Sequence, residues 1–438
     1  MVPKVDQSIK FAELLELNLA DNQLGMTAGH AIAAYMITNK SLTSLDVSNN
    51  ALSYDGGLAV TEALEKIYSI PPRDFFKQIL WRIEEKKYTG RHAIKRPKLY
   101  TNIINLNMSR NHLGPTALSS IMLCLSNANC TITNLDISHN PCGDTLPKAG
   151  DANITALDTR VGVGLCKTMT QLKLNHTALL PTHLVPILGS LHLNHILKTL
   201  DLSNLPIDEP SCLQLAHGIS VCEMLDELIL RGCRMGQKGG AIVLNKLVSC
   251  ASRFRILDLS DNLTGSHSLT HSLTRLLTYP LTSAGPPSGI LLSRLVSASA
   301  CGIHTLNISQ NDIGPEGGRH VALYGLKNNL SLTNIDLSSN LLDESVAIIL
   351  ADAARGIFKE GKLISKCNMK KYCINDNPKI GKVGARELVI SLVSGEFEHV
   401  EIGNIGYSLT HLLNYSLTYL LTHSLTLRCW PIECCHHG

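Results

Sequence analysis

The chain has 438 residues, 44% hydrophobic and 17% charged, with a formal charge of +3. This is globular composition, long enough for a sizeable core or a repeat array, and its near-neutral balance gives no reason to expect nucleic-acid binding by the whole chain. The opening MVPKVDQSIKFAELLE lacks the apolar core of a signal peptide, and no run reaches membrane-spanning length, so a cytoplasmic or nuclear protein without a membrane span is expected.

From residue 14 the chain repeats itself. LLELNLADNQLG (14–25) returns as LTSLDVSNNALS (42–53), IINLNMSRNHLG (103–114) and ITNLDISHNPCG (132–143). The shared frame is apolar at positions one, four and six, Asn at nine, and apolar at eleven. It starts at residues 14, 42, 103, 132, 169, 197, 225, 254, 303, 332, 369 and 397, mostly 28 or 29 apart. The segment x-L-x-L-x alternates with period two and predicts a short strand with leucines on one side. The second half of each unit has helical spacing. In GPEGGRHVALYGLKNNLSL (314–332), Val321, Leu323 and Leu326 fall near one helix face, and Gly317–Gly318, like Gly56–Gly57, are expected to form the turn entering the helix. One such unit cannot bury its own apolar face, but stacked units can. At roughly 2 kcal/mol per buried leucine, several per unit hold neighbours together.

Position nine carries Asn22, Asn50, Asn111, Asn140, Asn262, Asn311, Asn340 and Asn377. Backbone groups leaving a strand need partners, and an amide side chain has both donors and an acceptor to bridge its own loop and the adjacent one. Thr177, Leu205, Cys233 and Ile405 break this ladder, so a differently bonded stretch is expected across the three middle units. Of the fourteen cysteines, those in the body of the chain are scattered singly and read as reduced thiols used as small hydrophobes.

In LTSLDVSNNAL, LTNIDLSSNLL and IHTLNISQNDIGPEGG (303–318) the sequence resembles the leucine-rich repeat family, in its ribonuclease-inhibitor-like subtype. The resemblance covers residues 14–405. It implies an α/β fold: a right-handed βα solenoid, shaped as a horseshoe, with a parallel concave sheet and helices on the convex side. It also implies binding of protein partners.

Two kinds of text interrupt the solenoid, which is assigned to residues 1–407. An insertion over about 64–100 contains RDFFKQILWRIEEKKY (73–88), a helical stripe, and the basic run KKYTGRHAIKRPK (86–98). It reads as an enlarged repeat with a solvated loop, or as a docking helix with a basic arm for an acidic partner, a membrane surface or a nuclear import receptor. The second kind is SLTHSLTRLLTYPLT (268–282), inside a low-complexity insertion over about 264–286, with a near-copy, SLTHLLNYSLTYLLTHSLT, at 408–426. Reading the DNA tetramer TCAC repeatedly gives Ser-Leu-Thr-His, and the departures are single-base changes. Both tracts, and with the second the tail 408–438, read as simple-sequence DNA translated outside the natural coding sequence, the alternative being a genuine linker. Cys429, Cys434, Cys435, His436 and His437 lie in that tail, too crowded to surround one tetrahedral ion, and no metal or other cofactor is expected.

The residue between the two strand leucines faces the concave side. Asp46, Asp136, Asp201, Asp258, Asp336 and Glu401 occupy that position in six units, an acidic stripe suited to a basic surface. Asp also belongs to the recurring LDLS text and can be there for the repeat alone. Arg110, His139, His176 and Arg231 vary between units and are candidates for partner specificity. No phosphate-cradling Gly loop or Ser elbow is present, so no enzyme is expected. The reading is a scaffold that grips a protein partner on the concave face. The alternative is a GTPase activator resembling the Ran GTPase-activating protein, whose long acidic tail this sequence lacks. Partner identity and oligomeric state are not legible.

Overall fold

A frame that alternates apolar residues at positions four and six dictates a strand there, and each of the twelve frames has one. The computed structural model describes residues 14–39, 41–68, 103–127, 130–142, 168–262, 288–297, 301–355, 357–359, 362–365, 368–393 and 397–405. Twelve parallel three-residue strands occupy positions three to five of the twelve frames. The chain forms two compact units, Met1–Thr182 and His183–Gly438.

In the first unit, β1 (Glu16–Asn18), β2 (Ser44–Asp46), β3 (Asn105–Asn107), β4 (Asn134–Asp136) and β5 (Gln171–Lys173) lie side by side in chain order. Their register is that of the repeat: Leu17 pairs Leu45, Leu45 pairs Leu106, Leu106 pairs Leu135 and Leu135 pairs Leu172. In the second unit β6 (Thr199–Asp201), β7 (Glu227–Ile229), β8 (Ile256–Asp258), β9 (Thr305–Asn307), β10 (Asn334–Asp336), β13 (Lys371–Cys373) and β14 (His399–Glu401) follow the same rule. Each unit is an open α/β solenoid. The middle residue of nearly every strand is buried and its two neighbours are partly exposed, as period-two alternation requires. The leucines meet apolar residues of the following helix: Leu42, Leu45, Val47, Leu52, Val60 and Leu64 are all essentially inaccessible.

Two expectations are corrected. The paired glycines do not turn the chain into the helices; they lie within them, in the helices Ser53–Tyr68 and Gly314–His320. Their role is close approach. A Cβ on Gly57 would meet Leu113 Cδ2 at 2.2 Å, and one on Gly318 would meet Leu342 Cδ2 at 2.5 Å. Second, the helix from Gly314 does not run on regularly through Leu326. It widens into a π turn over Val321–Gly325, so Val321, Ala322 and Leu326 are buried while Leu323 is half-exposed. The helix Ser53–Tyr68 covers the first residues of the expected insertion, and Tyr68 donates from its hydroxyl to Ile103 O at 3.1 Å. The remainder of that insertion, with the docking-helix segment, lies outside the described residues, as do the tracts at 263–287 and 406–438.

An antiparallel hairpin, β11 (Ile357–Lys359) with β12 (Lys362–Ser365), stands apart from the parallel sheet and was not anticipated. It occupies the long step between the frames at 332 and 369.

Candidate protein-binding face

The strands are positioned by the asparagine ladder. Asn140 Nδ2 donates to Ile137 O and Ser138 O of its own turn and to Met108 O of the preceding one, at 2.9, 3.2 and 3.0 Å. Its Oδ1 accepts from the N–H groups of Asn111 and Leu113 at 2.9 and 3.0 Å. Asn50, Asn111, Asn262, Asn311, Asn340 and Asn377 repeat the three-carbonyl pattern, each reaching back to the turn before it. Asn22, in the first frame, bonds Leu19 O and Ala20 O of its own turn.

Where the ladder loses its asparagine, the bonding changes as expected. Thr177 Oγ1 reaches only its own turn, at Leu174 O. Leu205 is buried with an apolar side chain. Cys233 keeps the inter-turn bond, Sγ to Leu202 O at 3.2 Å, and its N–H donates to Asn262 Oδ1 at 3.1 Å. Burial pushes the Cys233 thiol upward, and Cys212 to about 12. Among the described residues nine cysteines carry thiols, six of them buried, which suits their reading as small hydrophobes.

The strand alternation leaves positions three and five on the sheet face opposite the leucines. At position five the carboxylates fall on alternate strands rather than in an unbroken stripe. Asn107 separates Asp46 from Asp136, Ile229 and Asn307 separate Asp201, Asp258 and Asp336, and Cys373 separates Asp336 from Glu401. Two strand spacings are about 10 Å, so these charges do not crowd one another. One oxygen of each aspartate is already committed. Oδ1 of Asp136, Asp201 and Asp258 accepts from the N–H and hydroxyl of the serine two residues on, at 2.6–3.0 Å. Asp46 and Asp336 accept the corresponding serine N–H at 2.9 Å. Asn107 and Asn307 make the same turn without a charge. Asp therefore satisfies the LDLS turn by itself, and only its second oxygen is left for other groups. In Asp46 that oxygen accepts from Asn107 Nδ2 at 3.0 Å; in Asp136 it faces Lys173 Nζ at 3.5 Å.

The other candidates sit just beyond the strands. Arg110, His139 and His176 occupy position eight with φ of 56°, 56° and 57°, the left-handed conformation that lets the loop turn away. Arg110 and His176 are exposed and His139 is half-buried. The His139 and His176 rings stack, centroids 4.2 Å apart and planes 14° apart. Arg231, at position seven, is exposed.

Position three supplies face residues the sequence reading passed over, although the same period-two rule points to them. Glu227 pairs with Arg255 and accepts from Thr199 Oγ1 at 3.1 Å. His399 lies on β14 beside Glu401, with Nε2 2.8 Å from Oε1. Cys373, paired across to Glu401, completes a corner in which thiol, imidazole and carboxylate donor atoms all lie within 4.8 Å of one another. Burial, with the Asp336 and Glu401 carboxylates, pushes the Cys373 thiol up to about 12. The hydrogen bond from His399 holds Glu401 below the usual carboxylate range, helped by Asn375 and opposed by burial.

A family model described as Leucine Rich repeat matches residues 38–60 and 303–322. Each match carries a strand, β2 or β9, its ladder asparagine, Asn50 or Asn311, and the start of the following helix. Matches and parallel sheet together fit a leucine-rich repeat protein. No curated protein matches the chain. No helix among the described residues is long and apolar enough to cross a membrane. Stacked repeats of this kind present extended binding surfaces, and the fold is typically a scaffold for protein interaction.

Proposed function

We propose that the chain is a protein-binding scaffold of the ribonuclease-inhibitor-like repeat subtype, gripping its partner on the sheet face opposite the leucines. The 28–29-residue step and the helices that follow most strands support the subtype. The observation that carries the binding role is the row of partly exposed polar side chains at positions three and five, held on a rigid ladder. Asp201, Asp258 and Asp336 suit a partner with basic side chains at about 10 Å intervals. Arg110, His139 and His176 add a cationic and aromatic rim to the first unit, and Arg231 a cation to the second.

The test separates charge from fold. Asn307 makes the serine turn as Asp258 does, so the triple variant Asp201→Asn, Asp258→Asn, Asp336→Asn keeps its acceptors and loses its charges. Proteins retained by the wild-type chain are expected to associate about tenfold or more slowly with the variant at low salt, the difference shrinking at high salt. Equal rates would remove the acidic face from the reading. Hydrolysis of GTP by small GTPases, measured with and without the chain, is expected to be unchanged; acceleration lost in Arg110→Ala would favour the GTPase-activator alternative.

A further inference from the structure

We propose that Cys373, His399 and Glu401 form a zinc site on the sheet face of the second unit. The three ligands come from paired strands in fixed register. His399 and Glu401 are two residues apart on β14 and so share a face, while Cys373 sits on β13 directly across from Glu401. Strand backbone held by its neighbour is a more precise platform for ligands than a loop.

The donors fit the ion. Thiolate and imidazole select zinc over calcium or magnesium, and a single carboxylate completes a three-ligand set with the fourth position open. The donor atoms already lie within 4.8 Å of one another. A tetrahedral zinc places its ligand atoms roughly 3.5 Å apart, so the His399–Glu401 contact of 2.8 Å opens by less than about 1 Å on binding. The second shell is in place: Asn375 Nδ2 donates to Glu401 Oε2 at 3.0 Å, fixing the carboxylate so that Oε1 points to the shared space. Asp336 lies close enough to add negative potential from the next strand, with Lys371 opposing it. Binding forms the zinc–sulfur, zinc–nitrogen and zinc–oxygen bonds, and the Cys373 proton leaves to solvent. A His–Glu hydrogen bond with a thiol beside it is the simpler account of these residues, and it predicts no affinity for a metal that depends on sulfur.

Cobalt(II) added to the full-length chain is the probe, because a thiolate ligand gives it a charge-transfer band in the near ultraviolet. The band is expected to appear, to be displaced by zinc, and to vanish in Cys373→Ser, a near-isosteric change. His399→Ala and Glu401→Gln are expected to weaken binding at least about tenfold, and Asn375→Ala by about tenfold or more. Circular dichroism of each variant checks that the fold survives. The tail cysteines are the competing source of sulfur, so the combined Cys429→Ser, Cys434→Ser and Cys435→Ser change is expected to leave the band intact. A band that persists in Cys373→Ser, one lost only with the tail cysteines, or cobalt binding without any thiolate band would overturn the assignment.

Discussion

A single amide, that of Asn140, closes five hydrogen bonds across two turns. Asn140 is fully buried, so removing the amide strands Ile137 O and two N–H groups away from water, while Ser138 O keeps the Arg110 N–H and Met108 O keeps Asn111 Nδ2. Leaving buried polar groups unpaired costs about 1–3 kcal/mol each before relaxation. Asn140→Ala is therefore expected to lower the free energy of unfolding by about 3 kcal/mol or more in urea denaturation, whereas Cys233→Ala, which loses weak thiol bonds, is expected to cost about 1 kcal/mol. Equal losses would mean that the ladder amides are not what joins the turns. The asparagines were legible in the sequence because no other side chain offers donors and an acceptor at that length. The bond from Cys233 to Leu202 O was not, because it depends on how closely two turns approach. The Asx role of the face aspartates was half legible: LDLS text repeats, but nothing in the letters says which carboxylate oxygen it occupies.

At the scale of the helix, glycine gives the clearest case of one letter with two meanings. Gly29 lies inside the helix Gly25–Thr38, where alanine is ordinarily favoured by about 1 kcal/mol. Here a Cβ would stand 2.4 Å from the Gly56 backbone of the neighbouring helix. Backbone cannot yield as a side-chain tip can, so Gly29→Ala is expected to destabilise by about 1–3 kcal/mol, read as a lowered melting temperature. Gly-Gly text is the same for a turn and for a close helix contact, which is why the turn reading failed. The hairpin β11–β12 escaped notice for a related reason: it adds to the step between repeats without altering the frame on either side. The helix Glu344–Arg355 shows a cap at work. Asp343 accepts from Ser345 Oγ at 2.7 Å and from the Val346 N–H at 3.0 Å. Burial opposes its charge, but these bonds and the nearby Arg319 together hold the carboxyl below its ordinary value. A carboxylate depressed in the folded state stabilises fully above its unfolded pKa, about 3.9, and loses that contribution as pH falls through the folded value. Asp343→Ala is expected to cost about 1 kcal/mol at pH 7, and thermal melts at progressively lower pH should show the gap between variant and wild type closing.

For the whole molecule, stability in a stacked-repeat chain is a sum of unit and neighbour terms, so an interruption matters only if it breaks a neighbour contact. Across residues 263–287 no such break occurs. β8 pairs β9 in frame, Ile256 opposite Thr305 and Leu257 opposite Leu306. Leu259 N–H donates to Asn307 O at 2.9 Å, Asp261 N–H donates to Ser309 O at 3.1 Å, and Asn311 Nδ2 reaches back to Leu259 O at 3.0 Å. The helix Ser288–Ser297 takes its usual place before β9, with Gly289 close to Gly317. The frames at 254 and 303 are 49 residues apart, and excising 265–285 removes 21, leaving 49 − 21 = 28, the common step. Loop-closure entropy changes by only about 0.6 kcal/mol per doubling of length, so the long connection costs little and its removal gains little. The excised chain is expected to melt cooperatively at the same temperature as the full chain or a few degrees higher, and to retain the same proteins in a pull-down. A lowered melting temperature, or loss of those proteins, would make the Ser-Leu-Thr-His tract a working part of the molecule. Transcripts lacking the tract would instead match the spliced reading, in which the repeat frame is the natural product and the tract is not.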